Sequence, residues 1–154
     1  MSVKVAEVEI LDIENGKSGL IILPENYLEK VNHRYHSSSL SFYKYAKEQL
    51  DIDFFDEPEA LLEQRSGEWF GPVILITSMA YSSNPEIIAI TCGVIANYVT
   101  DFFRGKKPTE IKVKVICKET SSTKYTEIEY NGNVEGLGEI KEVLTEVAKK
   151  DRNE

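Results

Sequence analysis

Along this chain the hydrophobic and polar positions change rhythm several times, and each change marks an element. "VKVAEVEILDI" carries Val3 and Val5, then Val8 and Ile10, on alternate positions, which predicts a strand with a bulge near Ala6. "ENGKSG" follows as a turn, because an Asn15–Gly16 pair accepts the positive φ angles of a tight connection. "LIILP" then predicts the second strand of a hairpin, ended by Pro24. Beyond it the pattern predicts a short helix over 25–32, a Ser-rich break at Ser37–Ser39, and a helix over 40–50 with Phe42, Tyr43, Ala46 and Leu50 at helical spacing. "DEPEALLEQ" predicts another short helix, capped by Asp56 and acidic in the first turn where the backbone dipole favours negative charge. "SGEWFGP" reads as a break and "VILITSMA" as a buried strand.

The longest apolar run lies in "NPEIIAITCGVIANYVTDFF", where Ile87 to Thr100 carry no charge. A bilayer span needs about 20 apolar residues, and this run is shorter, contains polar groups, and is closed by Glu86 and Asp101. Asn84, Pro85 and Glu86 supply a cap, a first-turn proline and an acid suited to the dipole, and Gly105 supplies a stop. The expectation is a helix from Pro85 to Arg104, apolar nearly all round and buried at the centre of the fold.

Two strands follow, "EIKVKVIC" and "KYTEIEY". A tight hairpin centred on Thr120 and Ser121 would set Lys112 against Glu129, Lys114 against Glu127, Val113 against Ile128 and Val115 against Thr126. "GEIKEVLTEVAKK" closes the chain with Ile140, Val143, Leu144 and Val147 at helical spacing, an amphipathic helix expected to cover the hairpin's apolar face. The sum is an α+β fold: an antiparallel or mixed sheet of two hairpins, packed on a central apolar helix and a C-terminal amphipathic helix. The 154 residues suit one domain, with a division near 80–84 as the alternative.

Composition narrows the partners. A net charge of -8 and a pI near 4.9 repel nucleic acid and anionic lipid at long range, and the best basic cluster, Arg104, Lys106, Lys107, Lys112, Lys114 and Lys118, reads as the solvated side of a hairpin. Cys92 and Cys117 sit among apolar residues as buried free thiols, and the N-terminus lacks the layout of a secretion signal, so a cytoplasmic location is expected.

Candidate chemistry is sparse. His33 and His36 in "NHRYH" could begin a metal site with Asp51, Asp53 and Asp56, but a zinc centre needs three or four ligands and the sequence does not complete one. The serines of "HSSSLSF" lie beside His36 without a glycine-flanked elbow, and "GNVEGLGE" lacks the third glycine of a dinucleotide loop. No catalytic residue, metal or cofactor is assigned. The aromatic pair Trp69 and Phe70, set between glycines, and the helix's last turn with Tyr98, Phe102 and Phe103 are the candidate partner-binding residues, either exposed as anchors or folded inward.

The order "NPEIIAITCGVIANYVTDFFRG", then "IKVKVICKE...YTEIEYNG", then "EIKEVLTEV" resembles small effector-associated adaptor domains of bacterial conflict and immunity systems. The resemblance covers about the second half of the chain and implies recruitment of a neighbouring protein without catalysis. The expected function is therefore a non-enzymatic interaction or adaptor domain, binding a protein partner or itself through an exposed strand edge or an apolar face. A small metal-dependent hydrolase or nuclease using His33 and His36 is the first alternative, and a peripheral membrane protein using the uncharged helix is the second.

Overall fold

The computed structural model describes residues 2–9, 17–62, 68–105, 110–118, 124–137, 142, 143 and 146. Among the described residues these strands and α-helices follow in chain order: β1 Ser2–Glu9, β2 Leu20–Leu23, β3 Arg34–His36, α1 Ser38–Ala46, β4 Ile52–Phe54, β5 Ala60–Leu62, β6 Glu68–Ile76, α2 Ser78–Ser83, α3 Ile87–Phe102, β7 Glu110–Lys118 and β8 Lys124–Gly132. The fold is α+β. Six strands form one mixed sheet in the order β1-β8-β7-β6-β2-β4, and β3 pairs with β5 in a separate parallel ribbon.

The first expected hairpin does not form. β1 pairs antiparallel with β8, at the far end of the sheet from β2. The reason lies in burial. All four residues of "LIIL" are buried, so β2 needs neighbours on both sides, and it lies between β6 and β4. β1 is half polar and suits an edge. Its register with β8 is continuous from Ser2 to Glu9, without the expected bulge; Val3 packs into one core and Val8 into the other, on opposite sides of the sheet. Residues 10–16, including Asn15–Gly16, lie outside the described residues.

Two expected short helices are also absent. Residues 25–32 turn without forming a helix because the Asn26 side chain takes the local hydrogen bonds, giving to the Glu29 carboxylate at 2.6 Å and the Asn32 carbonyl at 2.9 Å and accepting from Arg34 N–H at 2.7 Å. Around Asp56 the chain bends and then runs without a helix into β5. The Asp56 carboxylate is spent on Tyr35 and His33 instead of a helix cap. "SGEWFGP" is not a break from Glu68 onward, where β6 runs through it with a register shift between Phe70 and Val73. Pro72, which has no N–H to give a ladder, sits in that bulge. Space at Gly71 beside it is tight, since a Cβ there would lie 3.0 Å from the Trp69 ring and from Val113.

The apolar run is α3. It is one-sided rather than buried all round: Ile88, Thr91, Cys92, Ile95, Tyr98 and Val99 face inward, while Ile90, Gly93, Asn97 and Thr100 are exposed. Asn84 accepts from Glu86 N–H at 3.1 Å at its start, and Gly105 follows its end with a φ of +76°. No helix among the described residues is long and apolar enough to cross a membrane.

β7 and β8 form the expected hairpin with the register moved by two. Lys112 lies opposite Asn131, Val113 opposite Tyr130, Lys114 opposite Glu129, Val115 opposite Ile128 and Cys117 opposite Thr126. A shift of two keeps every side chain on its expected face. Of the expected C-terminal helix, Glu142, Val143 and Glu146 are helical and Val143 packs on the helix-side core; Ile140, Leu144 and Val147 lie outside the described residues. Both cysteines are buried free thiols.

Candidate functional site

Four of the five aromatic candidates meet in one cluster. Trp69, 5% exposed, packs its ring 5.3 Å from Phe102, 5.5 Å from Phe103 and 6.1 Å from Tyr98. Phe42 and Tyr45 of α1 close on Tyr98 from the other side, at 5.3 and 5.5 Å. The chain thus covers its own helix end: Trp69 and Tyr98 are buried, and Phe102 and Phe103 are half-buried. Such edge-on and tilted pairs add to the stability of the layer between sheet and helices. Phe70 projects through the opposite side of β6. There the His36 ring stacks on it at 5.0 Å with planes 7° apart, and the Lys112 ammonium lies 5.4 Å from its centroid.

The two histidines have separate surroundings. His33 Nδ1 is 2.6 Å from the Asp56 carboxylate and Nε2 is 2.7 Å from the Glu29 carbonyl. Both partners only accept, so both ring nitrogens must carry protons and the ring is an imidazolium. Burial opposes that charge, but the bonds to Asp56 and Glu29 outweigh it and raise the pKa above the ordinary value. Asp56 also accepts from the Tyr35 hydroxyl at 2.6 Å, so the three side chains clamp the loop before β3 to the segment after β4. A nitrogen so engaged has no lone pair for a metal or a proton. His36 is neutral instead: burial, and then the Lys114 ammonium, push its pKa down to about 4. It lines a cavity of about 200 Å³ with Phe70, Lys112, Lys114, Glu25 and Glu129.

Of the acids expected near the histidines, Asp56 folds back onto His33, whereas Asp53 pairs with Lys17. Among the described residues no group of three His, Cys, Asp or Glu side chains is arranged to hold a metal ion. Ser38 gives its hydroxyl proton to the Phe70 carbonyl at 2.6 Å and Ser41 shares a hydrogen bond with the Tyr98 hydroxyl, so these serines are used in packing. The basic cluster is dispersed: Arg104 pairs with Asp101 at 3.0 Å, and Lys114 pairs with Glu127 at 3.4 Å on the sheet face that carries Ile116 and Tyr125. Lys106 and Lys107 lie outside the described residues.

Sequence reasoning did not locate the two edges of the sheet. β4 bonds to β2 through Asp51 C=O, which accepts from Leu20 at 2.8 Å, and Phe55 N–H, which gives to Ile22 at 2.9 Å. Strand residues alternate in direction, so the backbone groups of Phe54 point outward. Both are taken: its N–H by the Asp53 carboxylate at 2.8 Å and its C=O by the Lys17 ammonium at 2.6 Å. β4 is therefore a three-residue edge on which side chains occupy both outward groups of Phe54. β1 is an eight-residue edge with a regular register, and no described strand pairs with its outer side. Lys4, Val5, Ala6 and Glu7 are exposed, Val5 by 56% although it lies opposite the fully buried Ile128. The signal for this in the sequence was the pair Val3 and Val8, whose odd spacing anchors the strand's two ends on opposite faces and leaves its middle uncovered.

No protein-family model, curated protein sequence or solved structure matches this chain.

Proposed function

We propose that this chain is a non-enzymatic interaction domain, an adaptor of a bacterial conflict or defence system that joins proteins through the outer edge of β1. The observation that carries the proposal is the contrast between β4, three residues long with both outward groups of Phe54 occupied, and a long, regular β1 whose middle is exposed. An unsealed strand edge offers a row of backbone donors and acceptors to an added strand, which gives affinity through main-chain hydrogen bonds. His33 is bonded at both nitrogens and the cysteines are buried, which supports a role without catalysis at those groups. The order of apolar helix, charged hairpin and amphipathic segment that resembles adaptor domains supports the cellular role.

Affinity capture from a bacterial lysate tests the proposal, with the full chain and its Val5→Lys variant as paired baits. Proteins retained by the full chain and lost with the variant are the expected result. Retention of the same proteins by both baits would move the contact away from β1, and capture of nothing by either would overturn the proposal.

A further inference from the structure

We infer that the outer edge of β1 pairs with β1 of a second copy of this chain, antiparallel and centred on Val5, so that two six-stranded sheets join into one. The inference rests on the interaction proposal above and names its occupant. The argument is one of symmetry, parity and charge. A two-fold axis perpendicular to a sheet keeps each face on its own side, so a residue must pair with a residue of the same face. Faces alternate along a strand, so the pairing must be centred on a residue rather than between two.

Within the exposed middle of β1 there are four such centres: Lys4, Val5, Ala6 and Glu7. Centring on Lys4 sets two ammonium groups directly opposite one another, and centring on Glu7 does the same with two carboxylates, both of which destabilise a cross-strand pair. Two registers survive. Centring on Ala6 sets Val5 against a glutamate. Centring on Val5 sets Val5 against Val5, Lys4 against Ala6 and Val3 against Glu7, with no like charges directly opposed. It also brings together two apolar side chains that a single copy leaves exposed: Val5 is 56% exposed on the face that α1 and α3 cover elsewhere.

The β4 edge is less suited to the same role, being three residues long with Lys17 and Asp53 on the outward groups of Phe54. Pairing is therefore head to head at β1, and a β1 edge paired in this way has no room for a third copy. Single-strand pairing buries less than a standard interface, which sets the expected dissociation constant at about 1–100 µM. The chain's net charge of -8 opposes association at long range, so added salt should tighten the dimer.

Cysteine placement reads the register directly. Residues opposed across antiparallel strands have Cα atoms about 4.5–5.5 Å apart, within the range a disulfide spans, whereas positions two steps out of register do not. The Val5→Cys chain is expected to form an intermolecular disulfide on mild oxidation at least tenfold faster than the Ala6→Cys or Lys4→Cys chains. The parent chain provides the background, its own Cys92 and Cys117 being buried. Sedimentation of the parent should show a monomer–dimer equilibrium, and Val5→Lys, a change at an exposed site, should sediment as a folded monomer. A parent that remains monomeric at about 500 µM overturns the self-pairing while leaving partner capture by the lysate experiment as a separate result. A dimer that persists in Val5→Lys, or that cross-links equally well from positions 4, 5 and 6, also overturns it.

Discussion

At one end of the six-stranded sheet, β4 is three residues long and the outward groups of Phe54 are both occupied, one by Asp53 and the other by Lys17. At the other end, β1 runs for eight residues with exposed Lys4, Val5, Ala6 and Glu7 at its middle. Behind each edge the sheet is equally well packed: Ile22 beside β4 and Ile128 beside β1 are both fully buried. The difference is thus confined to the outermost strand. A sheet edge is a hazard when unmanaged, and a chain that seals one edge with two side chains while leaving the other regular has the means to do both. What the contrast teaches is that edge chemistry, rather than core quality, separates the two ends.

The largest effects should come from the shared interior. Ile22→Ala and Ile128→Ala each remove a fully buried side chain and should cost about 2–5 kcal/mol, read as a shift in urea midpoint. Comparable losses at the two positions would show that the edges rest on equal foundations. A much smaller loss at Ile128 would mean that the β1 end is loosely built, and the comparison would fail.

The two histidines give the next effect, and their signs oppose. His36 has a folded pKa near 4 against an ordinary 6.5, so the unfolded chain takes up its proton first as the solution becomes acid. Its contribution is whole above pH 6.5 and is lost as the pH falls toward 4, about 1–3 kcal/mol after allowance for solvent screening. His33 is raised, so its contribution is whole below pH 6.5 and is lost as the pH rises through its folded value. Urea titrations across this range should show stability greatest near 6.5. His36→Phe, which keeps a ring against Phe70, should flatten the acid limb alone; His33→Gln should flatten the alkaline limb alone. His33 helps hold the segment that follows β4, so the alkaline limb reports on the sealed end of the sheet. An unchanged profile in His33→Gln would remove the imidazolium clamp from the account.

Much of this architecture was legible in the sequence where the determinants are local. α3 announced itself by its apolar run, Asn84 and Gly105, and the β7–β8 hairpin by matched alternation, with a register error of two that left every face correct. The failures share a cause. Tyr27, Leu28 and Val31 have helical spacing, but Asn26 diverts the backbone into turns, and Asp56 looks like a cap until Tyr35 and His33 arrive from about twenty residues upstream. The partner of β1 was invisible for the same reason, since an Asn–Gly turn specifies a local reversal and not which strand lies beside which. The aromatic candidates were legible as a group, but their mutual burial was not. Trp69 meets Phe102 and Phe103 only once β6 and α3 have been brought together.

A smaller change should convert one edge toward the other. Lys17→Met removes the donor to the Phe54 carbonyl and the partner of Asp53, and should cost about 0.5–1 kcal/mol. The hydrogen bond from Lys17 holds the Asp53 carboxyl below its ordinary pKa. That contribution is present above the usual carboxylate value and is lost as the pH falls through the lowered one, so Lys17→Met should also reduce the fall of stability in acid. With its outward carbonyl released, β4 becomes able to accept another strand, and sedimentation should show species larger than a dimer at high concentration. A variant that associates no more than its parent would mean that the shortness of β4, and not its seal, protects that edge.

The smallest expected effect is the most discriminating for β1 itself. Val5→Thr keeps the branched side chain that suits a strand and changes one methyl to a hydroxyl at a position 56% exposed. If the middle of β1 is open to solvent in a single copy, chemical unfolding of dilute protein should change by less than about 0.5 kcal/mol, as for an ordinary surface site. The same substitution should weaken self-association, where Val5 faces its own copy and the hydroxyl is taken from water without a designed partner. A loss above about 1 kcal/mol in dilute protein would place Val5 beneath something within the same chain. The two edges would then both be closed, by different means, and the contrast on which the interaction proposal stands would disappear.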